Sequence, residues 1–240
     1  MLAADCSRCF ALCCVLVPYE RGPDFAADKP SGVPCAHLGS DDLCTIHDDL
    51  SERGWSGCVR FDCFGAGQQV SQVTYAGTSW RDSPNRAEMS AVLSVMRQLH
   101  EMVALLDEAR QRAAVDAEGA LGEVLALTRG THEQLLTADL DDIRGRVSEV
   151  LGAASAAVRK AWPDAADLAR ADLAGQDLRH RDLRGAHLRG ALLIGSDLRG
   201  VDLTDADLLG ADVRGARAEG AQLDGALFLT RVQRVAMKLG

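Results

Sequence analysis

The sequence predicts a multidomain α+β protein with three regions: a small Cys-rich metal-binding domain, an α-helical middle and a C-terminal repeat. Three observations support this prediction. All eight cysteines of the 240-residue chain lie between Cys6 and Cys63, residues 86–160 are rich in Ala, Leu, Val, Glu and Arg, and residues 166–230 repeat every five residues. The predicted domains are therefore 1–82, 83–162 and 163–240.

Short spacers group the cysteines of the first region. They read Cys6-x2-Cys9-x3-Cys13-Cys14, then Pro34-Cys35-x-His37, Cys44-Thr-Ile-His47, Cys58 and Cys63. Thiolates at such spacing reach one metal centre from a single turn, and a second pair from a later loop completes the coordination. Eight thiolates suffice for two four-cysteine sites, whereas a single tetrahedral zinc uses four.

This pattern resembles the CxxCxxCC family of zinc- or iron-chelating proteins over about residues 6–63. The matching parts are the opening Cys-x2-Cys with a Cys-Cys pair, Pro-Cys-x2-Leu at 34–38, and Cys-x-Ile-His at 44–47, where the family has Cys-x-Ile-Tyr. The spacing differs by one residue before Cys13, and the Arg-Pro segment of the family is missing. The candidate ligands are Cys6, Cys9, Cys13, Cys14, Cys35, Cys44, Cys58 and Cys63, followed by His47 and then His37, and the expected cofactor is zinc or iron, including an iron–sulfur cluster.

Two structural explanations compete with a reactive centre. A closed zinc site folds a domain too small for a full hydrophobic core without any chemistry, and Cys13 or Cys14 can be buried as small apolar side chains. The segment Phe64-Gly-Ala-Gly67 lacks the remaining parts of a phosphate-binding loop. We interpret it as a turn in which the backbone passes close to the metal site.

The middle region shows helical periodicity. Apolar residues recur three and four positions apart over 86–114, after Ser83-Pro84-Asn85 as a start signal, and further helices are predicted at about 116–128 and 139–160. Thr137 and Asp139 are the candidate N-caps. No cluster of ionisable residues here indicates catalysis, so we expect no enzyme and name no catalytic residue.

The tail consists of thirteen five-residue units without a gap, from Ala166 to Thr230. The central position is Leu in most units, Ala usually stands two residues earlier, and Asp fills the position between them in eight of the thirteen units. A period of five fits neither a helix nor a simple strand, and it is typical of a stacked solenoid.

These units resemble the pentapeptide-repeat family, whose motif is Ala-Asp/Asn-Leu-X-X. The resemblance implies a right-handed quadrilateral β-helix with four units per coil and with the central Leu and the preceding Ala pointing inward. It also implies outward columns such as Asp177, Asp197 and Arg217, in which neighbouring arginines compensate the stacked carboxylates. After the last unit, apolar residues at 232, 235, 236 and 239 predict a capping helix.

Charge and hydropathy limit the functional classes. The formal charge of −9 argues against direct nucleic-acid binding. A DNA mimic that binds DNA gyrase remains an alternative, although the eleven acids of the repeat are largely balanced by eight arginines. No apolar run is long enough to span a membrane, and the N-terminus lacks a basic signal region. We therefore expect a cytoplasmic, metal-binding adaptor for an unknown protein partner, with a homodimer through the middle helices or the C-terminal helix as a further expectation. The alternative is an iron–sulfur or non-haem iron redox or modification protein.

Overall fold

The computed structural model describes residues 2–239. The chain divides into two units, one formed by Met1–Leu106 with Glu118–Val147 and the other by Asp107–Ala117 with Ser148–Gly240. The division falls within two long helices, α4 (Arg86–Arg112) and α7 (Leu140–Arg159). In the part of the chain that the structure describes, no helix has the length and apolarity needed to cross a bilayer.

The first 80 residues of the first unit contain only short helices. They are α1 (Leu12–Leu16), α2 (Ser56–Arg60) and α3 (Ala66–Gln69), which continues into a π-helical turn (Val70–Thr74), together with 3-10 turns at Cys6–Arg8 and His47–Asp49. Isolated antiparallel bridges join Tyr19 to Lys29 and Leu38 to Cys44. The remainder consists of turns, so specific side-chain contacts must fix this segment.

An aromatic cluster provides the local core of the Cys-rich segment, which we define as residues 6–63. The rings of Tyr19 and Phe25 stack with centroids 4.5 Å apart, and Trp55 meets the Tyr19 ring edge-on at 5.4 Å. Buried Ile46 and Leu50 pack with Trp55. Edge-on and offset-stacked rings are the favoured aromatic geometries, so this cluster ties the loop after α1 to helix α2.

The predicted helices of the middle region form close to their expected bounds. Helix α4 begins after Asn85, whose Oδ1 accepts the Glu88 N–H at 3.0 Å, and α7 begins after Asp139, which accepts the Asp142 N–H in the same way. Between them lie α5 (Glu118–Leu127) and α6 (His132–Thr137). We did not predict α6, which begins at a capping box formed by Thr131 and its N3 residue.

In the second unit, each repeat closes the same kind of turn. The N–H of residue 171 donates to the carbonyl of Leu168 at 3.1 Å, and the same i to i+3 bond recurs along the repeat. The residue before each bonded N–H is usually glycine with a positive φ, as at Gly175 (φ 68°). A positive φ at the second central position defines a type II turn and favours glycine, which explains why glycine ends most units.

Parallel bridges connect residues twenty positions apart, a separation of four units. Asp177 pairs with Asp197 and Asp197 with Arg217, so the expected column forms. The central Leu and the preceding Ala of successive units are buried in one apolar cluster with Met237. The short side chain of Ala permits close approach of neighbouring turns.

The predicted fold class is wrong. We expected an α+β chain ending in a right-handed quadrilateral β-helix, but residues 2–239 contain no continuous β-strand and no sheet, and their regular structure is mainly helical. The repeat pairs only through isolated one-residue bridges. The physical reason is the turn itself: its i to i+3 bond uses most of every five residues, which leaves too few extended residues for a strand.

Residues outside the repeat bond to its C-terminal end and to a turn in its middle. At the C-terminal end, α8 (Arg231–Ala236) starts at a capping box of Thr230 and Gln233, and the Gln233 amide donates to the carbonyls of Leu208 and Ala211. Earlier in the repeat, the Asp205 carboxylate accepts from the guanidinium of Arg112 at 2.8 Å and from the Trp162 indole at 2.9 Å. Side-chain bonds therefore close the C-terminal end of the stacked turns and hold one turn in the middle of the repeat.

Candidate functional site

Cys6 and Cys9 form a thiol pair at the start of the Cys-rich segment. Cys6 lies exposed in the first 3-10 turn, and Cys9 is buried directly after it. A hydrogen bond from the Cys9 thiol lowers the pKa of Cys6 to about 6. The same bond, together with burial, raises the pKa of Cys9 well above its usual range. The pKa values of the two thiols are therefore shifted in opposite directions, so that Cys6 is the more acidic of the two.

Cys13, Cys14 and Cys35 meet where α1 contacts the loop that follows it. The sulfurs of Cys13 and Cys14 are 3.9 Å apart, and the Cys35 N–H donates to the carbonyl of Cys14 at 2.9 Å. The Cys35 sulfur accepts the backbone N–H of His37 at 3.5 Å. Backbone hydrogen bonds between two stretches of chain thus hold these three cysteines together.

Cys58 reaches the same neighbourhood from helix α2. Burial, and to a lesser degree the like charges of the Cys13, Cys35 and Cys44 thiols, raise the pKa of the Cys58 thiol to about 11. Cys44 itself is held by its bridge to Leu38. Three separate stretches of chain therefore place their thiols near one another.

Cys63 is held by the glycine-containing turn that follows it. Burial raises its pKa, and backbone N–H groups of Gly65 and Gly67 lower it by donating to the sulfur. Gly65 has a positive φ of 76°, and a Cβ added at Gly67 would lie 2.9 Å from the Cβ of Cys9. The turn at 64–67 thus brings the backbone close to two of the candidate thiols.

The two histidine candidates, His47 and His37, have different surroundings. His47 is exposed and pairs with Asp48 at 3.5 Å, although it is close enough to Cys6 to contribute to the lowering of that pKa. The ring of His37 packs edge-on against Trp55 at 5.2 Å. All eight cysteines are free thiols. As placed within residues 2–239, no three His, Cys, Asp or Glu side chains are grouped closely enough to hold a metal ion.

Arginines neutralise most of the acidic column of the repeat region, which we define as residues 166–230. Arg179 pairs with Asp177 and Arg199 with Asp197, each at 2.7 Å, and the nearly buried Asp197 also accepts from Arg217 at 2.7 Å. The expected compensation of stacked carboxylates is thus confirmed. A column of paired charges presents less uncompensated negative potential than the phosphates of duplex DNA.

One face of the repeat region differs from the others. Parallel bridges align Asp172, Leu192 and Asp212 on it. Leu192 is 41% exposed and Ile194 is 38% exposed, and Arg214 follows on the next unit of the same face. We call this group of five residues the apolar face. Exposed large apolar side chains that lie next to one another often mark an interaction surface.

Sequence reasoning missed two features of these sites. Leu192 interrupts the Asp column and Ile194 stands two residues later, a signal that was available in the repeat alignment. Lys29 is buried beside the cysteines and bonded to three carbonyls. No sequence signal distinguished it, because a single Lys between Asp28 and Pro30 is typical of an exposed loop.

The comparisons with known proteins bear mainly on the C-terminal part. Residues 166–205, 182–217 and 193–228 match the family model of pentapeptide repeats, in eight copies. The chain is 45% identical over 164 residues to the uncharacterized protein YybG of Bacillus subtilis (strain 168), and this alignment covers 66% of the chain and 59% of YybG. The chain thus spans less than two thirds of that relative. No solved structure matches the chain.

Proposed function

We propose that the chain is a metal-binding assembly protein that acts in the cytoplasm and binds a protein through its repeat region. The apolar face is the observation that supports the binding role. Leu192 and Ile194 are exposed, whereas the acidic positions of neighbouring units form ion pairs with arginine. The cytoplasm suits the eight free thiols, because reducing compartments maintain thiols in that state.

The occupant that best fits the apolar face is a second copy of the chain. A two-fold axis parallel to the direction in which the turns stack would place Leu192 of one copy against Ile194 of the other. Asp212 and Arg214 pair with each other within the chain at 2.6 Å, and the same operation brings this pair against its equivalent in the partner copy with opposite charges facing. Self-complementary patches of this kind form isologous dimers, and the opposite charges at the margin fix the register.

Sedimentation equilibrium of the full chain tests this interface. Replacing Arg214 by Asp (R214D) or Asp212 by Arg (D212R) places like charges opposite one another, so we expect each to weaken association at least tenfold. The double variant D212R/R214D restores the opposite charges and should recover most of the affinity. Replacing Leu192 by Asp (L192D) should abolish association, since it puts a charge at the apolar centre.

The matched control is V235D at the C-terminal end of the chain, where Val235 and Leu239 are also exposed. If V235D dissociates the dimer and L192D does not, the C-terminal helix is the interface and the apolar face is not. Two results together would refute the binding role. The wild-type chain would stay monomeric at all concentrations, and a photo-crosslinker at position 192 would capture no protein in cells.

The Cys-rich segment supports a second role, the binding of zinc or iron. Backbone N–H groups donate to the sulfurs of Cys35 and Cys63, and Cys58 lies close to thiols from two other stretches. Such a thiol set suits zinc and iron–sulfur centres. Since no three donors are grouped tightly enough as placed, binding requires the thiols to turn toward a common centre. The bound metal would fold and stabilise the segment.

Elemental analysis and an absorbance spectrum of protein purified without oxygen test the metal role. One or two zinc ions per chain with no colour support a structural metal centre. A brown protein with iron and acid-labile sulfide supports the iron–sulfur alternative and a redox or modification role. Protein that carries neither metal and binds neither when it is added would refute metal binding.

A further inference from the structure

Cys13 and Cys14 bring two thiols together on adjacent residues of helix α1. Their sulfurs lie 3.9 Å apart, and both cysteines are only partly buried. The other side chains of the helix anchor it, because Leu12, Val15 and Leu16 are at most 1% exposed. The apolar residues of α1 are therefore buried in the core, and the two cysteines lie between them in the sequence at the boundary with solvent.

Hydrogen bonds hold the backbone of this helix in place. The carbonyl of Cys14 accepts from the Cys35 N–H at 2.9 Å. The carbonyl of Leu16 accepts from the hydroxyl of Ser31 at 2.6 Å. Each of these bonds joins α1 to the loop that follows it. A ligand that binds both sulfurs therefore finds the backbone of the two cysteines already fixed, and only their side-chain torsions must be set on binding.

The two thiols of this pair are poorly placed to form a disulfide with each other. The Cα atoms of a relaxed disulfide are usually about 4.4–6.8 Å apart, whereas the Cα atoms of adjacent residues are about 3.8 Å apart. Since both residues belong to a helical turn, closing the bond would also distort α1. The local geometry therefore favours the dithiol, whose sulfurs are joined more easily by a bridging atom than by a direct bond.

The geometry also limits the class of the bridging atom. Thiolate sulfur prefers soft centres, and with bonds of about 2.3 Å, as for zinc, one atom spans the 3.9 Å between these sulfurs at a bent angle. Zinc takes four ligands, but no three His, Cys, Asp or Glu side chains of residues 2–239 are grouped to hold a metal ion. Trivalent arsenic that carries one organic group is thiophilic and pyramidal, and it has two positions left for sulfur.

We propose that Cys13 and Cys14 form a dithiol site for trivalent arsenicals with one organic group, R–As(OH)2. Two arsenic–sulfur bonds form and two arsenic–oxygen bonds break, and each hydroxyl group leaves as water with one thiol proton. No electron is transferred, so the step needs no oxidant or reductant. The site uses two of the candidate metal ligands but requires no third donor, and it does not rest on the metal role proposed above.

The thiols of Cys6 and Cys9 are less suited to the same ligand. Cys6 is exposed, but Cys9 is only 7% exposed and directly follows the 3-10 turn. A Cβ added at Gly67 would lie 2.9 Å from the Cβ of Cys9, so the backbone of the turn at 64–67 fills the space beside this cysteine. An arsenic atom with an organic group reaches Cys9 only if these turns open, which makes Cys6 and Cys9 a matched control.

Titration of the full chain with phenylarsine oxide, in competition with a small dithiol, tests the site. The chain is first reduced, treated with a chelator and desalted without oxygen, and intact-mass spectrometry then counts the phenylarsenic groups that it carries. Because the second arsenic–sulfur bond forms within one molecule, we expect Cys13→Ser and Cys14→Ser each to weaken capture by about 100-fold or more. Cys6→Ser should capture the reagent as the wild-type chain does. Circular dichroism establishes that each variant is folded.

Peptide mapping of the loaded wild-type chain provides a second measurement that needs no variant. Trypsin cleaves after Arg8 and Arg21, so an arsenic bridge between Cys13 and Cys14 stays within the single peptide 9–21, and fragmentation places it there. A bridge between Cys6 and Cys9 would instead join two peptides. That result, a wild-type chain that captures no phenylarsine oxide, or equal capture by wild type and Cys14→Ser would each overturn the proposal.

Discussion

The repeat region and the Cys-rich segment both fold with little regular secondary structure, but different interactions hold them together. In the repeat region every unit forms the same turn and bonds to the unit twenty residues away, as from the Leu178 N–H to the Asp197 carbonyl at 2.9 Å. In the Cys-rich segment no contact recurs, and single bonds such as Lys29 to Val15 join distant stretches. Many equivalent interactions therefore stabilise the first region, whereas a few individual ones stabilise the second.

The largest expected effect comes from the apolar core of the repeat region. Replacing the fully buried Leu198 by Ala leaves a cavity between stacked turns, and such truncations cost about 2–5 kcal/mol in the free energy of unfolding. Urea denaturation followed by circular dichroism measures the loss. The matched control is Leu192→Ala on the apolar face, which we expect to change stability by less than about 0.5 kcal/mol. Equal losses in both variants would show that burial does not govern the stability of the repeat.

The sequence predicted the burial and stacking pattern of the repeat region but not its secondary structure. The period of five identified which residues are buried and which positions stack, because both follow directly from the repeat. The absence of strands could not be derived from the period alone, since it depends on how many residues the turn consumes. At Asp205 the repeat departs from glycine, and only the structure shows the bonds to Arg112 and Trp162 that explain it.

For the Cys-rich segment, the sequence predicted the chemistry of the candidate residues but not their arrangement in space. Residue chemistry identified the candidate thiols and predicted a turn at 64–67, and the structure shows that the backbone of this turn lies close to Cys9. Sequence spacing could not show which thiols converge, since that depends on contacts between stretches far apart in the chain. Lys29 is the clearest example: its burial results from three carbonyls that only the fold brings together.

A second prediction concerns Asp205, which stands in a turn position that glycine usually occupies. Asp205→Ala removes the bonds to Arg112 and Trp162 but keeps a non-glycine residue at φ 59°, so we expect a loss of about 2–3 kcal/mol. Asp205→Gly removes the same bonds and relieves the strained backbone, and it should be about 1 kcal/mol more stable than Asp205→Ala. Urea denaturation compares the two. An Ala variant as stable as the Gly variant would mean that the turn stores no strain.

The third prediction tests an individual contact in the Cys-rich segment. A Cβ at Gly57 would overlap the ring of Phe25, so Gly57→Ala should displace the aromatic cluster and cost about 1–3 kcal/mol. Near-ultraviolet circular dichroism should show a changed Trp55 signal, and thermal unfolding should give the loss in stability. Gly22→Ala is the control, because nothing lies within 4 Å of the added methyl group. Indistinguishable Gly57 and Gly22 variants would show that the cluster adapts without cost.

The smallest expected effect is the pH dependence of the charged columns in the repeat region. Hydrogen bonds from Arg184 and Arg199 lower the pKa values of Asp182 and Asp197 to about 2, below the unfolded value of about 3.9. The folded chain therefore binds fewer protons than the unfolded chain, so this stabilisation is complete above about pH 4 and is lost as the pH falls toward about 2.

Urea midpoints at pH 5 and pH 3 measure this loss, and Arg199→Gln should make the decrease smaller by returning the pKa of Asp197 toward its ordinary range. Arg181→Gln, at an exposed arginine of the same repeat, is the matched control and should leave the decrease unchanged. Several arginines share this carboxylate. Asp197 keeps Arg179 and Arg217 after the substitution, so a complete loss of the pH dependence in Arg199→Gln would show that one ion pair, and not the shared network, controls this column.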